Sequence, residues 1–321
     1  MTAAPSAPER DLDLVVVGDV NPDIVVTGAE PQFGQREVIV ESVSLTIGGS
    51  AGIMAAAAAR LGLRVALVGV VGDDVFGRFM LDELRRRDVD VRAVRVDRGR
   101  PTGATVILAR PTDRAILTAT GTIADLAAAD IPNDLIARCR HLHVASYYLQ
   151  PALWTGMADL VERARAAGVS VSVDPNWDPT ERWDGGLTDL LPRIDLFMPN
   201  EAEALRISGR ATVEDAARAL GASGPGPVVV VKRGGDGALC VDGDGTLHKT
   251  AAFPVEPVDT TGAGDAFDAG FVATWLGKRP IADCLAFAAV CGALSTRSMG
   301  GTAGQATRAE AEAALAGWSR G

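Results

Sequence analysis

Short apolar runs rich in β-branched residues alternate along the chain with longer stretches whose apolar positions recur every three or four residues. LDLVVVGD is followed by AGIMAAAAARLG, then RVALVGVVGD, then FGRFMLDELRRRD. The beat returns in HLHVASYY, the stretch around WTGMADLVERARAAG, VSVSVDP, IDLFMPN, EAEALRIS and PVVVVKRG. Two closing helical segments and a last one at 307–318 complete it. Uninterrupted apolar strands alternating with amphipathic helices predict a mostly parallel sheet covered by helices on both faces. The fold class is therefore doubly wound α/β, in which ligands collect at the carboxyl ends of the strands.

Residues 22–47 and about 92–120 carry strand-like runs and turns without a helical period. They predict one small antiparallel sheet, a β lid built from two excursions of the main body. Residues 1–10 read as a flexible tail and 11–321 as one domain. There is no internal repeat, and GASGPGP at 221–227 is a loop before a strand.

Charge narrows the functional classes. With 41 acidic and 31 basic residues the net charge is -10, a surface that repels nucleic acid and anionic membranes. A phosphate-bearing ligand must then be held by a local device. The uncharged windows 42–59 and 141–158 approach membrane-spanning length, but Gly48, Gly49, Ser50 and Gly52 interrupt one and His143, Gln150 and Pro151 the other. No basic leader precedes the first apolar run, so a cytoplasmic location is expected. Cys139, Cys240, Cys284 and Cys291 show no metal or redox spacing and read as reduced, buried thiols.

The densest chemistry lies in PVDTTGAGDAFDAGF. An extended segment ends at Asp259, a glycine turn follows, and helical spacing begins at Ala263. A helix N-terminus behind glycines can hold a phosphoryl group with backbone N–H groups alone. Asp265 in the first turn would either complement the helix dipole or do chemistry. Other candidates stand where strands end. Gly48 and Gly49 open a helix, with GDDVFG downstream. Asn200 and Glu203 in PNEAE could cap a helix or reach a metal-bound water. Asp23 could form a turn or accept hydrogen bonds from two neighbouring hydroxyls.

In this order and spacing the chain resembles the ribokinase-like (PfkB) carbohydrate kinases over nearly its whole length. DTTGAGDAFDAGF resembles their C-terminal signature, the glycine pair with GDDVFG the N-terminal one, and PNEAE their Asn-x-x-Glu motif. The resemblance implies ATP-dependent phosphorylation of a small sugar, at a primary hydroxyl. It makes Asp265 the general base and the backbone of Gly262, Ala263 and Gly264 the anion hole. It assigns Asn200 and Glu203 to the nucleotide, with Glu203 acting on Mg²⁺ through water, and gives Asp259 and Thr261 to a monovalent cation, K⁺. Lys232 and Gly235 fall at the nucleotide pocket, where a solvated loop is the competing reading. Asp23, Gly48 and Gly49 fall at the sugar site. Asn176 in DPNWDPTERW would orient a sugar, as would Arg182, or the segment is simply a loop. The family has an asparagine where this chain has Ile53, which removes one polar contact to the acceptor. PTGATVIL and Arg114 resemble lid elements that pair between subunits, so the resemblance implies a homodimer; a monomer with a flap fits equally.

GxxxxGK[ST], GxGxxG and GxSxG are absent, and His141, His143 and His248 have no metal spacing and read as structural. Tyr147, Tyr148, Trp177 and Trp183 pack in the core or line a pocket mouth. Three further readings remain: a nucleoside kinase on the same scaffold, a sugar-phosphate kinase using Arg100, Arg110 and Arg114, and a non-catalytic sugar sensor.

Overall fold

The computed structural model describes residues 10–28, 34, 37–109, 114–222 and 226–318. The expected tail and Arg110 thus lie outside the described residues, apart from Arg10.

The chain starts in β1 (Leu14–Val17), whose four residues are all buried because both faces of the strand are covered. Leu14 and Val16 join one hydrophobic core, Val15 and Val17 the other. This period of two divides the molecule into three layers. After β1 the chain visits the lid as β2 (Pro22–Thr27) and β3 (Ser42–Ile47), then returns through α1 (Ser50–Arg60) to β4 (Val65–Gly72). Next come α2 (Val75–Arg85), β5 (Val89–Asp90) and β6 (Val94–Asp97), then lid strands β7 (Ala104–Ala109) and β8 (Arg114–Ala119). In α2 the buried residues Gly77, Met80 and Leu84 share one helical face, and the Asp74 side chain caps the Gly77 N–H.

The second half runs through α3 (Asn133–Arg138), β9 (His141–Val144), α4 (Pro151–Trp154), α5 (Met157–Ala166) and β10 (Ser170–Val173). It continues with α6 (Leu187–Leu190), β11 (Leu196–Phe197), α7 (Glu201–Ser208), α8 (Val213–Gly221) and β12 (Val228–Lys232). The hairpin β13 (Ala238–Val241) and β14 (Leu247–Thr250) precedes α9 (Ala263–Trp275), α10 (Ile281–Ser295) and α11 (Arg308–Ala316). In the main sheet the strands lie in the order β14-β13-β12-β11-β10-β9-β1-β4-β5, with β6 also on β4. Pairing is parallel from β12 to β5 and antiparallel at β13 and β14. Successive strands spread in opposite directions from β1, so a topological switch lies between β1 and β9.

The two excursions do meet in one small sheet, ordered β3-β2-β7-β8. It is not purely antiparallel as expected, because β2 and β7 run parallel. Between them the chain passes through α1, β4 and α2, and such a long crossover, unlike a hairpin, brings a strand back in the same direction. Val94–Asp97, inside the expected lid segment, pairs with β4 in the main sheet instead.

All four cysteines are buried free thiols. His141 and His143 are enclosed in β9, bonded to Ser170 and Ser172, and burial lowers them to about 3 and about 4, so they stay neutral. Among the described residues, no helix is long and apolar enough to cross a membrane.

Candidate active site

The carboxyl ends of β1, β9, β10 and β12 converge with the N-termini of α1, α7 and α9. Asp19, just after β1, accepts hydrogen bonds from the Ser50 and Ala51 N–H groups at 3.1 Å and so caps α1 from the neighbouring strand. Gly49 adopts φ 69° at the start of that helix. Asp23 is buried on β2, on the lid face that also carries Thr46 and Thr105. A side chain at Gly48 would collide with the Asp23 carboxyl, which explains glycine there. The candidate sugar-side residues Asp23, Gly48 and Gly49 are therefore neighbours, where lid and main body join.

After β10, Asp174 accepts from the Asn176 N–H at 2.9 Å, and Asn176 takes the left-handed φ of 55°. The Asn176 amide donates to the Ser146 hydroxyl at 3.0 Å and to the Ser50 hydroxyl at 3.3 Å. Ser50 also bonds Asp265. One chain of hydrogen bonds thus links Asn176, the first residue of α1 and the carboxylate of the glycine turn. Arg182, the other candidate in that loop, pairs with Asp184 at 3.2 Å. Tyr147, Tyr148, Trp154 and Trp183 pack against one another, and Trp177 meets Trp183 edge to face at 4.9 Å between ring centroids. Of these Trp177 is 40% exposed, so the aromatic group is core with one ring at the surface.

Gly262 caps α9 with φ 72°, a left-handed conformation that turns the extended 259–261 segment into the helix. The Asp259 carboxylate organises this turn. One oxygen accepts from the Thr261 N–H at 2.9 Å and its hydroxyl at 2.8 Å, the other from the Gly300 N–H at 2.8 Å. Asp259 thus ties Thr261 to the Gly300 turn. Burial and the Asp174 carboxylate push Asp265 well above the usual carboxylate range; Lys232 and Ser50 pull it back. Ile53 packs against Gly262 and Gly301 beneath the turn and its carbonyl accepts from Gln305 at 2.9 Å.

Asn200 and Glu203 form a reciprocal capping box on α7. The Asn200 oxygen accepts from the Glu203 N–H at 2.9 Å, and the Glu203 oxygens accept from the Asn200 N–H at 2.8 Å and its amide at 2.6 Å. The capping alternative is realised, in a carboxylate 3% exposed that burial and Asp174 raise to about 7. Lys232 is not on a solvated loop. Its ammonium is drawn inward to Asp174 at 2.7 Å and Asp268 at 2.9 Å. Gly235 stays open, lining with Phe253, Val255, Gly264 and Ala289 a mainly apolar cavity of about 540 Å³ that reaches the α9 N-terminus.

Asp19, Ser146, Asp174 and Asp268 escaped the sequence reading. Asp268 carried a usable signal, because it lies three positions after Asp265 and so shares its helix face. Asp174 sits in the DPN segment, two positions before Asn176.

A doubly wound sheet, a β lid over its switch point, and a glycine turn and carboxylate beside an apolar cavity define a phosphotransferase for small hydroxyl compounds. Residues 11–308 match the model of the pfkB family carbohydrate kinases, and the chain belongs to that family of enzymes. An ATP-dependent ribose-1-phosphate kinase of Halopiger xanaduensis is 32% identical over 299 residues, covering 93% of this chain and 96% of that one. A cytidine kinase of Thermococcus kodakarensis is 30% identical over 85% of this chain and 92% of its own. Among solved structures, a candidate ribokinase II from E. coli in complex with ATP and Mg²⁺ superposes with a TM-score of 0.83. It is 25% identical and covers 95% of this chain and 99% of that one.

Proposed function

We propose that this carbohydrate kinase transfers the γ-phosphoryl group of Mg-ATP to a hydroxyl, a primary one, of a small unphosphorylated sugar. One observation carries the reading: the turn at 262–265 touches both halves of the site. Ala263 and Gly264 border the apolar cavity, which suits a nucleobase and ribose, while Asp265 joins the Ser50 and Asn176 chain on the acceptor side. Asp265 takes the acceptor proton as the new O–P bond forms and the bond to the departing ADP breaks, and burial, by raising its pKa, makes it a stronger proton acceptor. The backbone N–H groups of Gly262, Ala263 and Gly264 stabilise charge on the transferring group. The Ala263 N–H makes only a 3.3 Å bond back to Thr260, which a phosphoryl oxygen can replace.

Magnesium, when bound, neutralises phosphate charge. The Glu203 carboxylate and the Asn200 side-chain oxygen are hard donors that suit its water shell, and the Asp259, Thr261 and Gly300 oxygens suit K⁺. Lys232 and Gly235 would wall the nucleotide pocket, Lys232 by its stem.

Two related acceptors follow from specific observations. The cytidine kinase relative favours a nucleoside. The ribose-1-phosphate kinase relative favours a sugar phosphate, but Arg100 is engaged with Asp125 at 2.8 Å and the Gly121 carbonyl at 3.0 Å. ADP release from Mg-ATP with sugars, nucleosides and sugar phosphates, with and without KCl, decides among them. Turnover on a sugar, stimulated by K⁺, is expected; faster turnover on a nucleoside or sugar phosphate replaces the sugar reading. Sugar binding without turnover on any acceptor makes the protein a sensor.

The lid supports a homodimer. Its outer face is apolar: Leu45 beside Ile24, Val43 beside Val26, and Leu117 beside Val106, with Val43 64% and Leu117 60% exposed. Light scattering should give a dimer that Val43→Arg with Leu117→Arg converts to a monomer. A wild-type monomer at assay concentrations rules the pairing out.

A further inference from the structure

The site gathers carboxylates more densely than the transfer reaction uses them. Asp19 follows β1, Asp174 follows β10, Glu203 begins α7, and Asp265 and Asp268 lie one turn apart on α9. Lys232, at the end of β12, is a cation that faces Asp174, Glu203, Asp265 and Asp268. Its ammonium is 2.7 Å from Asp174 and 2.9 Å from Asp268, with side-chain exposures of 11%, 8% and 1%. It also lies 3.6 Å from where a side chain at Gly264 would begin, directly under the glycine turn. The Asp268 carboxyl also shares a hydrogen bond with that of Asp174, so the ammonium and this contact together compensate it. Three separate elements are thus pinned at one buried point, and the phosphate turn rests on it.

We propose that Lys232 is a positioning residue for phosphoryl transfer: clamped by Asp174 and Asp268, it fixes the first turn of α9 against β10 and β12 and supplies the countercharge for the grouped carboxylates. The inference rests on Asp265 being the base. A buried ion cluster is not by itself stabilising, since apolar replacements of similar volume often fold as well or better. Stability alone therefore gives no reason for the arrangement, whereas charge balance next to a proton acceptor does. The groups facing Asp265 are Asp174, Lys232, Asp19 and Ser50; those facing Lys232 are Asp174, Asp268 and Glu203, with His143 behind them. Among these Lys232 opposes the push that burial and Asp174 exert on Asp265.

The test replaces Lys232 with methionine, alone and together with Asp268→Leu, which removes the carboxylate left stranded while keeping Asp174. Folding is followed by circular dichroism and kcat as a function of pH. In a folded variant the acid limb of the kcat profile should move up by about one pH unit or more, as loss of a neighbouring opposite charge requires. Turnover on that limb should then fall at least about tenfold, with the ATP KM nearly unchanged. A folded variant with the wild-type profile and kcat overturns the proposal, because a purely structural lysine would move neither. Asp265→Asn measured in parallel separates the two layers. If that variant is inactive while the Lys232 variants are normal, only this inference fails; if it is active, the base assignment fails.

Discussion

Replacing Asp265 with asparagine is expected to lower kcat by about 10²-fold or more, with little change in the ATP KM. Asparagine keeps the shape of the side chain and can keep a hydrogen bond to Ser50, but it cannot accept the proton of the attacking hydroxyl. The cavity is lined by Ala263, Gly264, Lys232 and residues of α10 and the 252–257 segment, and the Asp265 side chain is not part of that lining. Steady-state kinetics at several pH values check it. Turnover above one-tenth of wild type, as a rough threshold for losing a general base, would mean that the proton leaves by another route.

Gly262→Ala should be almost as damaging, for a different reason. The backbone there has φ 72°, and an added methyl carbon would lie 2.8 Å from Ile53, 2.9 Å from the Gly301 carbonyl and 3.0 Å from the Gly301 Cα. Left-handed strain of about 1–3 kcal/mol combines with a backbone collision that no rotamer relieves. The turn must shift, and a displacement of about 1 Å at a reacting centre can cost about 10²-fold in rate. A large kcat loss in a folded protein is the expected outcome. Gly243→Ala, exposed in the β13–β14 turn with open space around it, is the matched control and should behave as wild type. Equal kinetics for the two variants would remove the turn from the transfer step.

Both residues could be found in the sequence because the signals they carry are local. A β-branched stretch, a glycine turn and the onset of helical spacing lie within one short segment, and the strand runs announced the parallel sheet in the same way. What was illegible depends on contacts far apart in the chain. Asp19 and Ser50 are 31 positions apart, and Lys232 and Asp174 are 58 apart, so no window reveals that they touch. The same limit hid the parallel pairing of β2 with β7, whose direction is set by the chain between them. Asn200 and Glu203 show a different limit. Their spacing suits a capping box and a metal-water contact equally, and both oxygens of Glu203 are on Asn200 in the folded protein.

The glycine turn at the head of α9 has a wider consequence if it holds the phosphoryl group as proposed. Its donors are peptide groups, so no side-chain substitution other than proline deletes them; otherwise only a change of backbone shape can. Selection on nucleotide use then acts on dihedral angles, and the charge of the exterior is left free to drift. A chain with a net charge of -10 can handle a polyanion on these terms. Because the peptide dipoles are partly buried and short-ranged, dissolved salt screens them less than it would an exposed patch of lysines.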